Sequence, residues 1–128
     1  AGLEICCGGV FGLGESLAQR VELAFEISAL APRSVPLNFL APIPGTPLEH
    51  AIPMSPGDIL RAIALFRLVC PAAEIRVCAG REAHLAGWEP RIFEAGATGM
   101  MVGGYLTVRC RSVQDDLEML RRAGMAYE

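Results

Sequence analysis

A chain of 128 residues, 52% apolar and 20% charged, is long enough for one ordinary core, and its net charge of -3 gives it no electrostatic pull toward nucleic acid or anionic membrane. It carries no charged n-region followed by an apolar h-region, and no apolar run of the roughly 18 residues that a membrane span needs; the expected compartment is cytoplasmic. The five cysteines, at positions 6, 7, 70, 78 and 110, have neither the spacing of a zinc site nor the density of a disulfide scaffold, and read as reduced thiols.

In chain order, Leu3 to Val10 is a short apolar run bounded by glycines and reads as a strand, followed by a helical pattern from Glu15 to Leu30 that Pro32 closes. The chain begins at Ala1 without a methionine and enters this first strand almost at once, as though cut from something longer. Val35 to Leu40 is the second strand, and the proline-rich stretch from Pro42 to Pro56 cannot hold a ladder. Ser55 reads as a helix N-cap with Pro56 at the first helical position and Asp58 in the first turn, and that helix runs to about Val69. Glu74 to Cys78 is the third strand, residues 79–82 a turn, and Trp88 to Ala95 a helix closed by Gly96. Thr98 to Gly104 is the fourth strand, Tyr105 to Arg111 a loop, and Ser112 caps a last helix that ends near Gly124. Four strand-then-helix units predict an α/β fold of parallel strands with helical crossovers, either a doubly wound sheet or half of a (β/α)8 barrel.

Both architectures build their sites at strand ends, where the chemically unusual residues fall. The run ICCGGVFGLGE at 5–15 joins two thiols to four glycines. Alternation sets Glu4, Cys6 and Gly8 on one face and Ile5 and Cys7 on the other, so the two cysteines do not easily serve one site. Arg76, between Ile75 and Val77, points away from the helices if its neighbours point toward them, and needs a partner: an ion pair with Glu4 or Glu74, or a ligand. Asn38, between Leu37 and Phe39, faces the same way and offers an amide to a polar ring system. The glycine spacing is not that of a dinucleotide loop.

The passages ICCGGVFGLGE, SVPLNFLAPIPGTPLE at 34–49, IRVCAGRE at 75–82 and GGYLTVRCRSVQDDLEML at 103–120 together resemble the C-terminal half of the biotin synthase family, radical S-adenosylmethionine (SAM) enzymes, over essentially the whole chain. The resemblance implies one segment, residues 1–128, that forms the C-terminal half of a TIM-type (β/α)8 barrel. It implies that Cys6 and Arg76 ligate an auxiliary 2Fe-2S cluster, that Gly8, Val10, Gly12 and Glu15 lie beside SAM, and that Asn38 binds the ureido ring of dethiobiotin. It further implies sulfur insertion into dethiobiotin by SAM-derived radical chemistry, a 4Fe-4S cluster held by an N-terminal half, an electron-donor protein and a full-length homodimer. The C-x-x-x-C-x-x-C motif for the 4Fe-4S cluster is absent, Cys7 and Cys78 stand where serine or glycine is commoner, and Cys110 follows Arg109 where glycine is expected. Two other readings stay open: a segment of a related radical-SAM maturation enzyme, and a non-enzymatic half-barrel that binds a partner through its open strand edges.

Overall fold

The computed structural model describes residues 2–104 and 111–126. Among the described residues the sheet has four parallel strands in sequence order: β1 (Gly9–Phe11), β2 (Ser34–Phe39), β3 (Glu74–Val77) and β4 (Gly99–Met100). Between them and after them lie α1 (Leu17–Ala29), α2 (Pro56–Val69), α3 (Arg81–His84), α4 (Arg91–Glu94) and α5 (Val113–Arg122). Sequential parallel strands with helical crossovers are the architecture of half a (β/α)8 barrel, as expected, with no reversal of strand order to mark a doubly wound sheet.

One face of the sheet is the core. Val35, Leu37, Phe39, Ile75 and Val77 are fully buried against Ala24 and Ile27 of α1 and Ile59, Ala62, Ile63 and Phe66 of α2. The rings of Phe11, Phe39 and Phe66 interlock, with Phe11 centred 6.0 Å from Phe39 and 5.6 Å from Phe66. Each such fully buried side chain contributes about 1.5–3 kcal/mol through removal from water. The opposite face carries Val10, Pro36, Asn38 and Arg76 and is open.

The long helices start where their caps direct. Ser16 and Gln19 form a reciprocal capping box on α1, Ser55 accepts from the Asp58 N–H at the start of α2, and Ser112 accepts from the Asp115 N–H at the start of α5. Three expected elements differ in extent. The first strand is shorter than Leu3 to Val10: upstream of Gly9 only Cys6 bridges to Ser34, because an edge segment has a ladder partner on one side alone. The expected helix from Trp88 to Ala95 is the four-residue α4, preceded by the separate α3; Gly87 and Pro90 break the pattern between them. The last strand shrinks from Thr98–Gly104 to Gly99–Met100, since Gly103 takes a positive φ of 78° that a strand cannot hold. Of the expected loop from Tyr105 to Arg111, and of Cys110 within it, residues 105–110 lie outside the described residues. Among the described residues no helix is long and apolar enough to cross a membrane.

Candidate functional site

Register fixes how the candidate residues line up on the open face. Gly9 pairs with Leu37 and Leu37 with Val77, so Cys6 lies level with Ser34 and Glu74, Gly8 with Pro36 and Arg76, and Val10 with Asn38 and Cys78. Gly8 is a point of close contact between strands: a Cβ there would stand 1.9 Å from the Pro36 carbonyl oxygen. Alternation holds for the cysteine pair. Cys7 packs against the core beneath the sheet, while the Cys6 thiol is exposed.

The Arg76 guanidinium is half-exposed on the open face and donates to Glu74. Glu74 is shared: Arg33 donates to it at 3.2 Å and to Glu4 at 3.2 Å, so two arginines and two carboxylates form a chain along the sheet. The Arg76 and Arg33 hydrogen bonds hold the Glu74 carboxyl below the usual range. The ion pair with Glu74 is thus present, and both residues line a cavity of about 450 Å³ together with Thr98, Gly99 and Met100. Two positions up the strand, burial pushes the Cys78 thiol up; the nearby Arg76 charge opposes that shift and the Cys6 sulfur adds to it. Cys78 is therefore within electrostatic reach of both Arg76 and Cys6. Among the described residues no three His, Cys, Asp or Glu side chains converge on a metal position. One exposed thiol and one guanidinium are a partial donor set, suited to a group whose other ligands come from elsewhere.

The glycine-rich turn past β1 is organised by Glu15. The Gly12 N–H donates to both carboxylate oxygens at 3.0 and 3.1 Å, the Leu13 N–H donates at 2.8 Å, and Arg20 Nε donates at 2.7 Å. Burial alone would raise the Glu15 carboxyl, but these bonds together hold it below the usual range. Glu15 is thus committed to its own turn, and the N–H groups it occupies are not free to cradle an anion. What the turn offers a ligand is backbone shape, with Gly12 at a positive φ of 88° and the Val10 side chain half-exposed on the open face beside it. Sequence spacing does not reveal Arg20 as the partner of Glu15, because their separation of five residues spans the start of α1.

Asn38 is committed as well. Its Oδ1 accepts from the Ala79 N–H at 3.1 Å and its Nδ2 donates to the Gly9 carbonyl at 3.4 Å. The amide clasps β1, β2 and the turn after β3 together, and one N–H of Nδ2 remains for an outside acceptor.

Against known proteins, the chain matches the model of the biotin and thiamin synthesis associated domain over residues 36–126, a range that includes Asn38 and Arg76. The chain belongs to this family. Over nearly its full length it also corresponds to a C-terminal part of proteins named biotin synthase. It is 55% identical to that of Maridesulfovibrio salexigens over 125 residues, 98% of this chain and 38% of the relative. It is 52% identical to that of Geotalea uraniireducens over 121 residues, 94% of this chain and 37% of the relative. With the protein of Syntrophotalea carbinolica, identity is 50% over all 128 residues and 39% of the relative. The chain thus spans well under half the length of these curated relatives. Among solved structures, methylornithine synthase superposes with a TM-score of 0.76 at 22% identity, over 99% of this chain and 41% of that one; at that identity the likeness concerns the fold.

Proposed function

We propose that residues 1–128 form the C-terminal part of a biotin synthase, which inserts sulfur into dethiobiotin. The observation that carries this reading is the placement of Cys6, Arg76 and Asn38 on one open face of a parallel sheet, in a chain 50–55% identical to biotin synthases. In this reading SAM and the 2Fe-2S and 4Fe-4S clusters supply the radical chemistry and the sulfur atom when bound. Cys6 and Arg76 hold the 2Fe-2S cluster together with ligands from an N-terminal half, and that half binds the 4Fe-4S cluster. The exposed Cys6 thiol supports the first assignment, because thiolate is the soft ligand that iron–sulfur groups take.

Gly8, Val10 and Gly12 form the wall for SAM. Their part is steric and apolar, and Glu15 supports them by holding the Gly12–Leu13 backbone in place. Asn38 presents its remaining N–H to the ureido carbonyl of dethiobiotin. An electron-donor protein and assembly as a homodimer complete the proposal for the full-length chain.

The test uses three substitutions in the full-length enzyme. Cys6→Ala is expected to abolish or severely weaken the 2Fe-2S cluster, read as iron and sulfide content and visible spectrum. Arg76→Ala is expected to be milder, since a guanidinium is normally cationic and a poor iron ligand whose role is geometry or tuning. Asn38→Ala is expected to weaken dethiobiotin binding by about 1–3 kcal/mol with the cluster intact. A Cys6→Ala protein with a normal cluster and normal biotin yield overturns the assignment.

A further inference from the structure

Away from the open face lies a buried ion pair that none of the preceding chemistry uses. Arg81, 3% exposed, donates to Asp116, fully buried, through both terminal nitrogens at 3.0 and 2.9 Å. The same guanidinium donates to the Met101 carbonyl and to Glu82 at 3.4 Å, and Asp116 accepts from the Gly103 N–H at 3.3 Å. The Arg81 Nε is buried with no hydrogen-bond partner among the described residues. The pair therefore joins three pieces of chain: the turn after β3, the segment leaving β4, and α5. A buried cation with an unmet donor is costly to hold, and removing its carboxylate leaves that cost uncompensated.

The turn that Arg81 anchors is the one that orients Asn38. Residues 79 and 80 lie between them. The Ala79 carbonyl accepts from the Phe39 N–H at 2.9 Å, and the Ala79 N–H donates to Asn38 Oδ1. Gly80, at a positive φ of 84°, is pressed so closely on the end of β2 that a Cβ would stand 1.9 Å from the Phe39 carbonyl oxygen. The turn thus has little play between the Asn38–Phe39 backbone on one side and the Arg81–Asp116 pair on the other. An amide has two orientations, and the Ala79 N–H at 3.1 Å, with the longer Nδ2 contact to the Gly9 carbonyl at 3.4 Å, sets Oδ1 inward and leaves an Nδ2 donor for a ligand.

We propose that Arg81 and Asp116 are positioning residues for substrate: through the 79–81 turn they fix which end of the Asn38 amide faces the open side of the sheet, and so select a carbonyl acceptor. This inference rests on the reading of Asn38 as a dethiobiotin ligand. The test is made in the full-length, cluster-loaded enzyme. Asp116→Asn keeps the shape and removes the charge; it is expected to raise the dethiobiotin KM about tenfold with kcat changed less than about twofold. Hydrogen exchange at the Ala79 amide is expected to accelerate relative to Leu37 and Val77 in the same sheet.

Arg81→Lys, which keeps the cation and loses the fork, is expected to shift both readouts the same way by less, and stands in if Asp116→Asn fails to fold. The double variant Asp116→Asn/Asn38→Ala is expected to have the KM of Asn38→Ala alone, because both act through one amide. A lowered Tm with unchanged KM and unchanged Ala79 exchange overturns the inference, as do KM effects that multiply in the double variant. If Asn38→Ala alone leaves KM unmoved, the substrate role of Asn38 fails and the proposed selection of substrate falls with it. Accelerated Ala79 exchange in Asp116→Asn would then still show that the pair holds the turn.

Discussion

Glu15 is the residue whose behaviour departs most from its sequence context. A carboxylate at the end of a glycine-rich turn reads as a ligand, yet here its oxygens accept from two backbone amides and Arg20. The stabilisation is linked to pH. Its folded-state pKa lies below the unfolded value, so the contribution is fully present above the ordinary carboxylate range and is lost as pH falls through the lower folded value. Glu15→Gln is therefore expected to cost about 1–2 kcal/mol at pH 7. The gap to the unsubstituted protein should close on acidification below about pH 4, a trend that denaturation at a series of pH values would follow. A gap constant from pH 7 to pH 3 would mean that the charge on Glu15 contributes nothing to the turn.

At the scale of the element, the open face depends on how closely β1 runs against β2. Gly8 is where the two backbones meet, and the space a methyl group would need is taken by the Pro36 carbonyl. Backbone cannot yield as a flexible side chain does, so Gly8→Ala must push the first strand outward and break the Cys6–Ser34 bridge as well as the Val10–Asn38 register. The expected loss is about 3 kcal/mol or more, read as a fall in Tm by circular dichroism. On the roles proposed for Cys6 and Asn38, which sit on the displaced strand and its neighbour, cluster content and substrate affinity of the full-length enzyme should fall together in this variant, unlike in the variants at either residue alone. An unchanged Tm would mean that β1 relaxes without cost.

At the scale of the whole molecule, helices among the described residues cover the sheet on one side. Val10 and Met101, 48% and 47% exposed, stand on the other side, and β1 and β4 are the sheet edges, without a further strand partner among the described residues. The 128-residue chain by itself is therefore expected to self-associate or melt at low temperature, whereas the same residues joined to a segment that covers the open face should be monodisperse. Sedimentation velocity of the isolated chain measures this directly. A compact monomer with a cooperative melt would show that the core beneath the sheet suffices.

The order of strands and helices was legible because it rests on local chemistry: apolar periodicity, serine caps at 55 and 112, and prolines and glycines that stop each element. So was the side to which Cys6, Asn38 and Arg76 turn, since a strand alternates whatever it packs against. The length of β1, the break between α3 and α4 and the two-residue β4 were not legible, because an edge or interrupted segment takes its extent from its neighbours. Nor were the commitments of polar groups, apart from the Arg76–Glu74 pair two residues apart on one strand. That Asn38 spends its Oδ1 on Ala79, 41 residues on, and that Arg81 is neutralised by Asp116, 35 residues on, are facts of chain return. A sequence names which groups need partners when buried; only the folding of distant segments against one another decides which partners they get, and hence which donors remain for a ligand.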